Sequence, residues 1–455
     1  MNRLGFRSLL LITLSLLVLW TLSGIALLDR IKLSEPVNNV KEPIIRVLIR
    51  TGTESSALRK IAEPFTKSSG IKVEFVELGR DNFFTALGTQ LFAGSEAFDV
   101  MFMPNTSIAQ FASANAILPL DPFIENPELT DLESFNLDDF LAIYRYRNAI
   151  YALPTDISTH FLYYRSDLIP HPPDTWDDFY AVAERYTRSI TPGSPTRWGA
   201  TMPAVVPEER SKIFASLLWS FGGDGIREDT GQVVLDDEPS VRAGEFLVKM
   251  IQNDVIPDDL LSWDFARTRD ALLSGEVAMA APYWNASYKD ILQSSSRYKD
   301  SIRIALIPGI KDENGTLRRA TFEHSWTLAI NANSANPTDA WKFLEFATGK
   351  VGGKIYVEAG GIPARRSILG DGRYRESRPD FGLLLESLRT ARNEPYVPYY
   401  NALVEIEERA LAKIITLHSE PELAFRTAAD ELRHLYQSIQ INNAKQSKHN
   451  PKNSE

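Results

Sequence analysis

Residues 151–180 read Y-A-L-P-T-D-I-S-T-H-F-L-Y-Y-R-S-D-L-I-P-H-P-P-D-T-W-D-D-F-Y. Positions 157–164 are rich in β-branched and aromatic residues, which suit a pleated, buried surface, and are read as a strand. Pro170, Pro172 and Pro173 end that strand and stiffen the turn, because proline removes a backbone donor and fixes φ. Asp174 or Thr175 then caps a helix by accepting from the free amides of its first turn. Asp177 and Asp178 put negative charge where the helix dipole favours it.

The same alternation runs upstream. Residues 44–49 and 71–76 read as strands, and Leu58, Ile61, Ala62 and Phe65 between them fall at helical spacing. Gly70 closes that helix, and the loop before it holds Thr51, Gly52, Thr53 and Glu54. Residues 83–92 read as a second helix, 98–103 as a third strand, and Pro104, Asn105 and Thr106 as the loop beyond it. Strands and helices joined by short loops argue a parallel sheet with helices on its faces. Ligands of such sheets bind beyond the carboxyl ends of the strands, where the loops around Thr53 and Asn105 lie.

The chain of 455 residues is too long for one core, so two or three domains are expected. A net charge of -10 argues against a polyanion-binding surface, and hence against nucleic acid as a partner. There are no cysteines, which removes disulfides, thiolate metal sites, cysteine nucleophiles and a lipidated cysteine tether. Arg3 and Arg7 precede an uncharged run over 8–28 that ends at Asp29 and Arg30. A signal peptide cleaved near Ser23–Ala26 and an uncleaved membrane anchor both fit this pattern, and the missing lipidation site favours the anchor. Either reading exports residues 29–455, with 29–43 as a linker and a periplasmic or extracellular location.

Several blocks in order resemble the family 1 extracellular solute-binding proteins, the maltose-binding-protein-like receptors of ABC importers. Leu162, Tyr163, Tyr164, Asp167 and Leu168, then Pro173, Thr175, Trp176 and Phe179, fit that family's L-Y-Y-x-x-D-L and P-x-T-W-x-x-F. Phe65, Gly70, Ile71 and Val73 fit F-x-x-x-x-G-I-x-V, and Tyr151 with Pro154 fits its Y-x-x-P hinge strand. Residues 275–279 match G-x-x-A-M and 360–365 match G-x-x-P-x-R, and 217–224, 340–348 and 394–400 add further blocks.

The resemblance implies an α/β, two-lobe periplasmic-binding-protein fold with hinge strands crossing between the lobes, preceded by the N-terminal signal or anchor helix. The first lobe is expected over 44–152 and about 304–360, and the second over 153–303 and 361–441. Residues 442–455 are polar and are read as a disordered tail.

The implied function is capture of a sugar, either a mono- or oligosaccharide or a polyol, and delivery to membrane permease subunits. The receptor would be a monomer with no cofactor, metal or catalytic residue. Candidate ligand contacts are Thr53 and Glu54 in the first loop, Met103, Asn105 and Thr106 in the second, and Asp156 and Ser158 after the hinge. Trp219, Tyr283, Trp284, Trp326 and Tyr399 are the candidate aromatics. A flat ring packs on the C–H face of a pyranose, while nearby acids and amides read its hydroxyls. Maltodextrin receptors place charged side chains at some positions held here by Gly52, Thr53, Met103, Asn105 and Thr106, which argues against that ligand.

Two other functions fit the sequence less well. An exported glycosidase needs paired carboxylates facing a cleft, and nothing in the sequence pairs them. A periplasmic sensing partner on the same fold would present ligand to a membrane receptor. For the N-terminus, the anchor reading gives a direct expectation. The intact mass of protein extracted from membranes should include residues 1–28, and a mass lacking them would show the signal is cut.

Overall fold

The computed structural model describes residues 42–227 and 230–449. The signal or anchor reading falls on residues outside these, as do positions 450–455 of the expected tail. Among the described residues no helix is long and apolar enough to cross a membrane.

The first sheet is built on β1 (Ile44–Arg50), whose inward residues are fully buried. Helix α1 (Thr53–Ser69) follows and ends at Gly70 in the left-handed region, φ 74°. It begins earlier than the expected loop, because the Ser56 amide already donates to the Gly52 carbonyl at 3.2 Å. Glu54 therefore stands in a first helical turn. Strand β2 (Lys72–Leu78), helix α2 (Arg80–Phe92) and strand β3 (Val100–Pro104) complete the first alternation.

The chain then reaches β4 (Ala152–Pro154) and crosses into the second sheet at β5 (His160–Arg165). Thr175 caps the next helix, α3 (Trp176–Arg185), by accepting from the Asp178 amide at 3.0 Å. Strand β6 (Trp198–Thr201) and helices α4 (Pro207–Ser220), α5 (Glu238–Gln252) and α6 (Phe265–Ser274) lead to β7 (Val277–Trp284). Helix α7 (Ser287–Gln293) and strand β8 (Ile302–Ala305) follow. Strand β9 (Trp326–Ile330) returns to the first sheet, with α8 (Pro337–Thr348) and α9 (Lys350–Glu358) behind it. Helices α10 (Tyr400–Ile415) and α11 (Pro421–His449) pack on each other and on the α4–α5 side. Helix α11 continues past residue 441, where composition reads as a tail, because Ala444, Lys445 and Gln446 are good helix formers.

The first sheet has strand order β2-β1-β3-β9-β4, and the second β8-β5-β7-β6. Strands β1, β2 and β3 are parallel as expected, but β9 runs antiparallel to both β3 and β4. It does so because it re-enters the first sheet from the far side, after the excursion through the second lobe. The sheet is therefore mixed.

Three crossings lie side by side between the sheets. The Ser158 amide donates to the His324 carbonyl at 2.8 Å, and the His324 amide returns a bond to Ser158 at 3.1 Å. The Thr155 amide donates to Trp326 at 2.9 Å, and the Ile157 amide to Ile362 at 3.0 Å. These paired segments form a hinge whose backbone groups are satisfied by one another.

Buried acids cluster where α4 meets α10. Glu407 is half-buried, accepts from the Ser211 hydroxyl at 3.2 Å, and burial pushes its carboxyl up to about 8. A raised carboxyl pKa means the native state keeps a proton that the unfolded chain has released, so stability is lost as pH rises toward that value. The melting temperature of the wild type should therefore fall relative to Glu407→Gln between about pH 5 and about pH 9. A difference that stays flat across that range would refute a proton held at Glu407.

Candidate functional site

The three crossings floor a cleft of about 390 Å³. Helix starts and strand ends supply its walls. From the first lobe come Arg50 at the end of β1, Thr53 and Glu54 in the first turn of α1, and Arg80 and Phe84 at the start of α2. From the second come Glu208, Glu209 and Lys212 at the start of α4, Phe265 at the start of α6, Trp284 at the end of β7, and Lys289 and Asp290 on α7. Asp156, Ser158, His160, Phe322, His324 and Trp326 line it from the crossings, and Gly360, Gly361 and Ile362 from the segment after α9.

Six of the expected residues meet here: Thr53, Glu54, Asp156, Ser158, Trp284 and Trp326. The other six do not line the cleft, and each has a physical reason. Tyr283 and Trp284 are neighbours on one strand, and successive side chains of a strand point to opposite faces. Trp284 faces the cleft, whereas Tyr283 is fully buried, edge-on to Tyr163 at 5.0 Å, with its hydroxyl donating to the Phe265 carbonyl at 2.6 Å. Met103 lies fully buried in β3, between β1 and β9. Asn105 and Thr106 are covered by the returning chain, since the Asn105 amide donates to the Ser325 carbonyl at 2.9 Å and its side-chain oxygen accepts from Ser325. Trp219 is buried under the Arg392 guanidinium with its indole N–H on Asp224, and Tyr399 packs against Tyr436.

Trp326 lines the cleft but presents little ring face. Phe102 stacks on it at 4.7 Å and 5°, and the Arg50 guanidinium lies over it at 4.4 Å. Trp284 has only the tilted Phe265 ring beside it, at 5.7 Å and 55°. Of the two cleft tryptophans it is therefore the one with less of its ring face covered.

The charges are arranged in pairs. Arg80 donates to Glu209 at 2.6 Å and approaches Glu208 at 3.9 Å, a link from the first lobe to the second. Lys212 donates to Glu208 at 2.7 Å, and its charge holds that carboxyl below the usual range. Arg50 stands 3.8 Å from Glu54. Asp156 accepts the Trp326 amide at 2.6 Å, and burial, reinforced by the Glu54 charge, pushes its carboxyl well up. Burial, reinforced by Lys212, holds His160 and His324 well below the ordinary histidine value, so both imidazoles are neutral at neutral pH. His160 is also pinned by the Ser216 hydroxyl at 2.9 Å and by the Phe322 ring at 4.2 Å. Among the described residues no group of His, Cys, Asp and Glu could hold a metal ion.

Arg50, Arg80, Lys212 and Lys289 had not been expected in a site. Arg50 and Lys289 lie at or just past strand ends, so the strand-end rule could have found them. Arg80 and Lys212 needed the packing of one lobe against the other.

Residues 51–354 match the model of the bacterial extracellular solute-binding proteins, and the chain belongs to that family. It is a solute-binding protein of the kind that serves ABC importers. It is 26% identical to a probable amino-acid ABC transporter periplasmic-binding protein of Sinorhizobium fredii, over 76% of this chain and 78% of that one. It is 25% identical to the erythritol/L-threitol-binding protein of Mycolicibacterium smegmatis, over 76% and 75% of the two chains. Among solved structures, the maltose-bound MalE3 of T. maritima superposes with a TM-score of 0.73 at 25% identity, covering 86% of this chain and all of that one. These relatives are binding proteins rather than enzymes.

The two strand neighbours give a paired expectation. Trp284→Ala should weaken binding of the cleft's ligand by at least about 1 kcal/mol, the loss of one stacked ring. Tyr283→Phe should leave affinity unchanged and lower stability by about 1 kcal/mol, through the lost hydrogen bond. Titration calorimetry and thermal melts on both variants check this, and equal affinity losses would contradict the assigned faces.

Proposed function

We propose that the protein captures a sugar or polyol in the interlobe cleft and hands it to membrane permease subunits, acting as an exported monomer. The observation that carries this is the cleft itself. It sets the open Trp284 ring opposite hydrogen-bonding groups from the other lobe, in about 390 Å³. That size lies within the range of small-molecule sites. Glu54 and Ser158 offer groups that read hydroxyls, and the neutral His160 and His324 add donors or acceptors without charge. The erythritol/L-threitol-binding and maltose-bound relatives support the ligand class.

Binding proceeds by closure. A ligand touching both walls favours the closed state over the open one and shifts the population toward it. The cleft binds without turning over. Glu54 and Asp156 both line it, but Asp156 is committed to the Trp326 amide.

A thermal-shift screen of the full chain against aldoses, oligosaccharides, polyols and amino acids tests the reading. A ligand at a hundred times its dissociation constant should raise stability by roughly 2.7 kcal/mol. A sugar or polyol series should produce the shift and be recovered intact. A shift with amino acids alone would overturn the ligand class, and release of hydrolysed sugar would overturn the receptor reading.

A further inference from the structure

Lys289 is the cleft cation that has no counter-charge among the described residues. Arg80 and Lys212 are matched by Glu209 and Glu208, and Arg50 by Glu54. Asp290, next to Lys289 in sequence, is approached by Arg269 at 3.4 Å. Among the described residues no ion pair or hydrogen bond holds the Lys289 ammonium. Asp156 does not supply the missing charge, since burial favours its neutral form.

The backbone opposite is shaped for this side chain. Lys289 reaches from α7 to Gly360, and both line the cleft. A Cβ at Gly360 would fall 2.0 Å from the Lys289 nitrogen, and Gly360 has φ +95°. Any other residue there would displace the ammonium and strain the turn. The Lys289 ammonium thus lies beside Gly360, and Lys289 is half-buried and lines the same cavity as Trp284. An unpaired ammonium facing a ligand cavity is matched best by an anion, through a charge-assisted hydrogen bond.

We infer that the ligand is a sugar or polyol bearing one anionic group, which Lys289 binds while Trp284 carries the carbon skeleton. This rests on the sugar reading of the cleft. The anion is a carboxylate or a phosphate, and the choice of probes separates the two.

The test uses the full chain and matched sets of a neutral aldose, its uronate and its 6-phosphate, in the gluco, galacto and manno series. Affinities are measured by calorimetry in wild type, Lys289→Met and Lys289→Arg. The expected result is a preference for one anionic member over its neutral parent of roughly tenfold, about 1.4 kcal/mol. Lys289→Met should abolish that preference, read as the ratio of the anionic to the neutral affinity in the same variant, and Lys289→Arg should keep much of it. Whichever anionic member is preferred names the group. Neutral sugars that bind as well as their anionic partners would overturn the inference and leave the sugar reading standing. So would a preference that survives in Lys289→Met. Binding of none of the probes would overturn the inference.

Discussion

The Asp156 carboxylate accepts the Trp326 amide at 2.6 Å, where one crossing of the chain meets another. The bond joins the segment leaving the first lobe to the segment returning to it. Ser158 and His324 exchange backbone bonds beside it, and Ile157 ties on the third crossing at Ile362. The polar groups of these segments are satisfied by one another. The cleft walls are then fixed to a shared floor. The same pairing buries Asp156, whose raised pKa follows from its place in the hinge.

Electrostatics decides what the cleft can hold. Most of its charge is neutralised within the protein, through Arg80 with Glu209, Lys212 with Glu208, and Arg50 with Glu54. The Arg80 contact spans the lobes. Arg80 is partly exposed, so salt screens the bond and its contribution to closure is modest. With those charges paired, the proposed recognition falls to the Trp284 face, to hydroxyl-reading groups and to Lys289.

Aromatic residues around the cleft separate into two groups by what covers them. Phe102 and Arg50 use the Trp326 ring as a packing surface, which makes it part of the scaffold. Trp284 sits at the end of its strand, where the next residues turn away into α7, and its ring is left open to the cleft. Ring count in a sequence therefore overstates the number of stacking positions.

Local order was legible in the sequence because it depends on neighbours. The strand expected over 157–164 forms as His160–Arg165, with 157–159 taken up by the crossing, and the Thr175 cap and the helix starting at Trp176 followed from residue type and spacing. Pro421 marks the break between α10 and α11 for the same reason. The motif order identified the two-lobe class. The strand alternation that separates Tyr283 from Trp284 was also in the sequence, although a pair of adjacent aromatics invites a joint reading. Other features depend on residues far apart in the chain. Met103, Asn105 and Thr106 sit beyond a strand end, as ligand loops do, yet the return of Ser325 and Trp326 covers them. Arg80 meets Glu209 across 129 positions, and Gly360 makes room for Lys289 from the opposite wall. Spacing along a chain specifies which residues share a face of one element. Which faces look at each other across a cleft is set only when the lobes pack on their hinge.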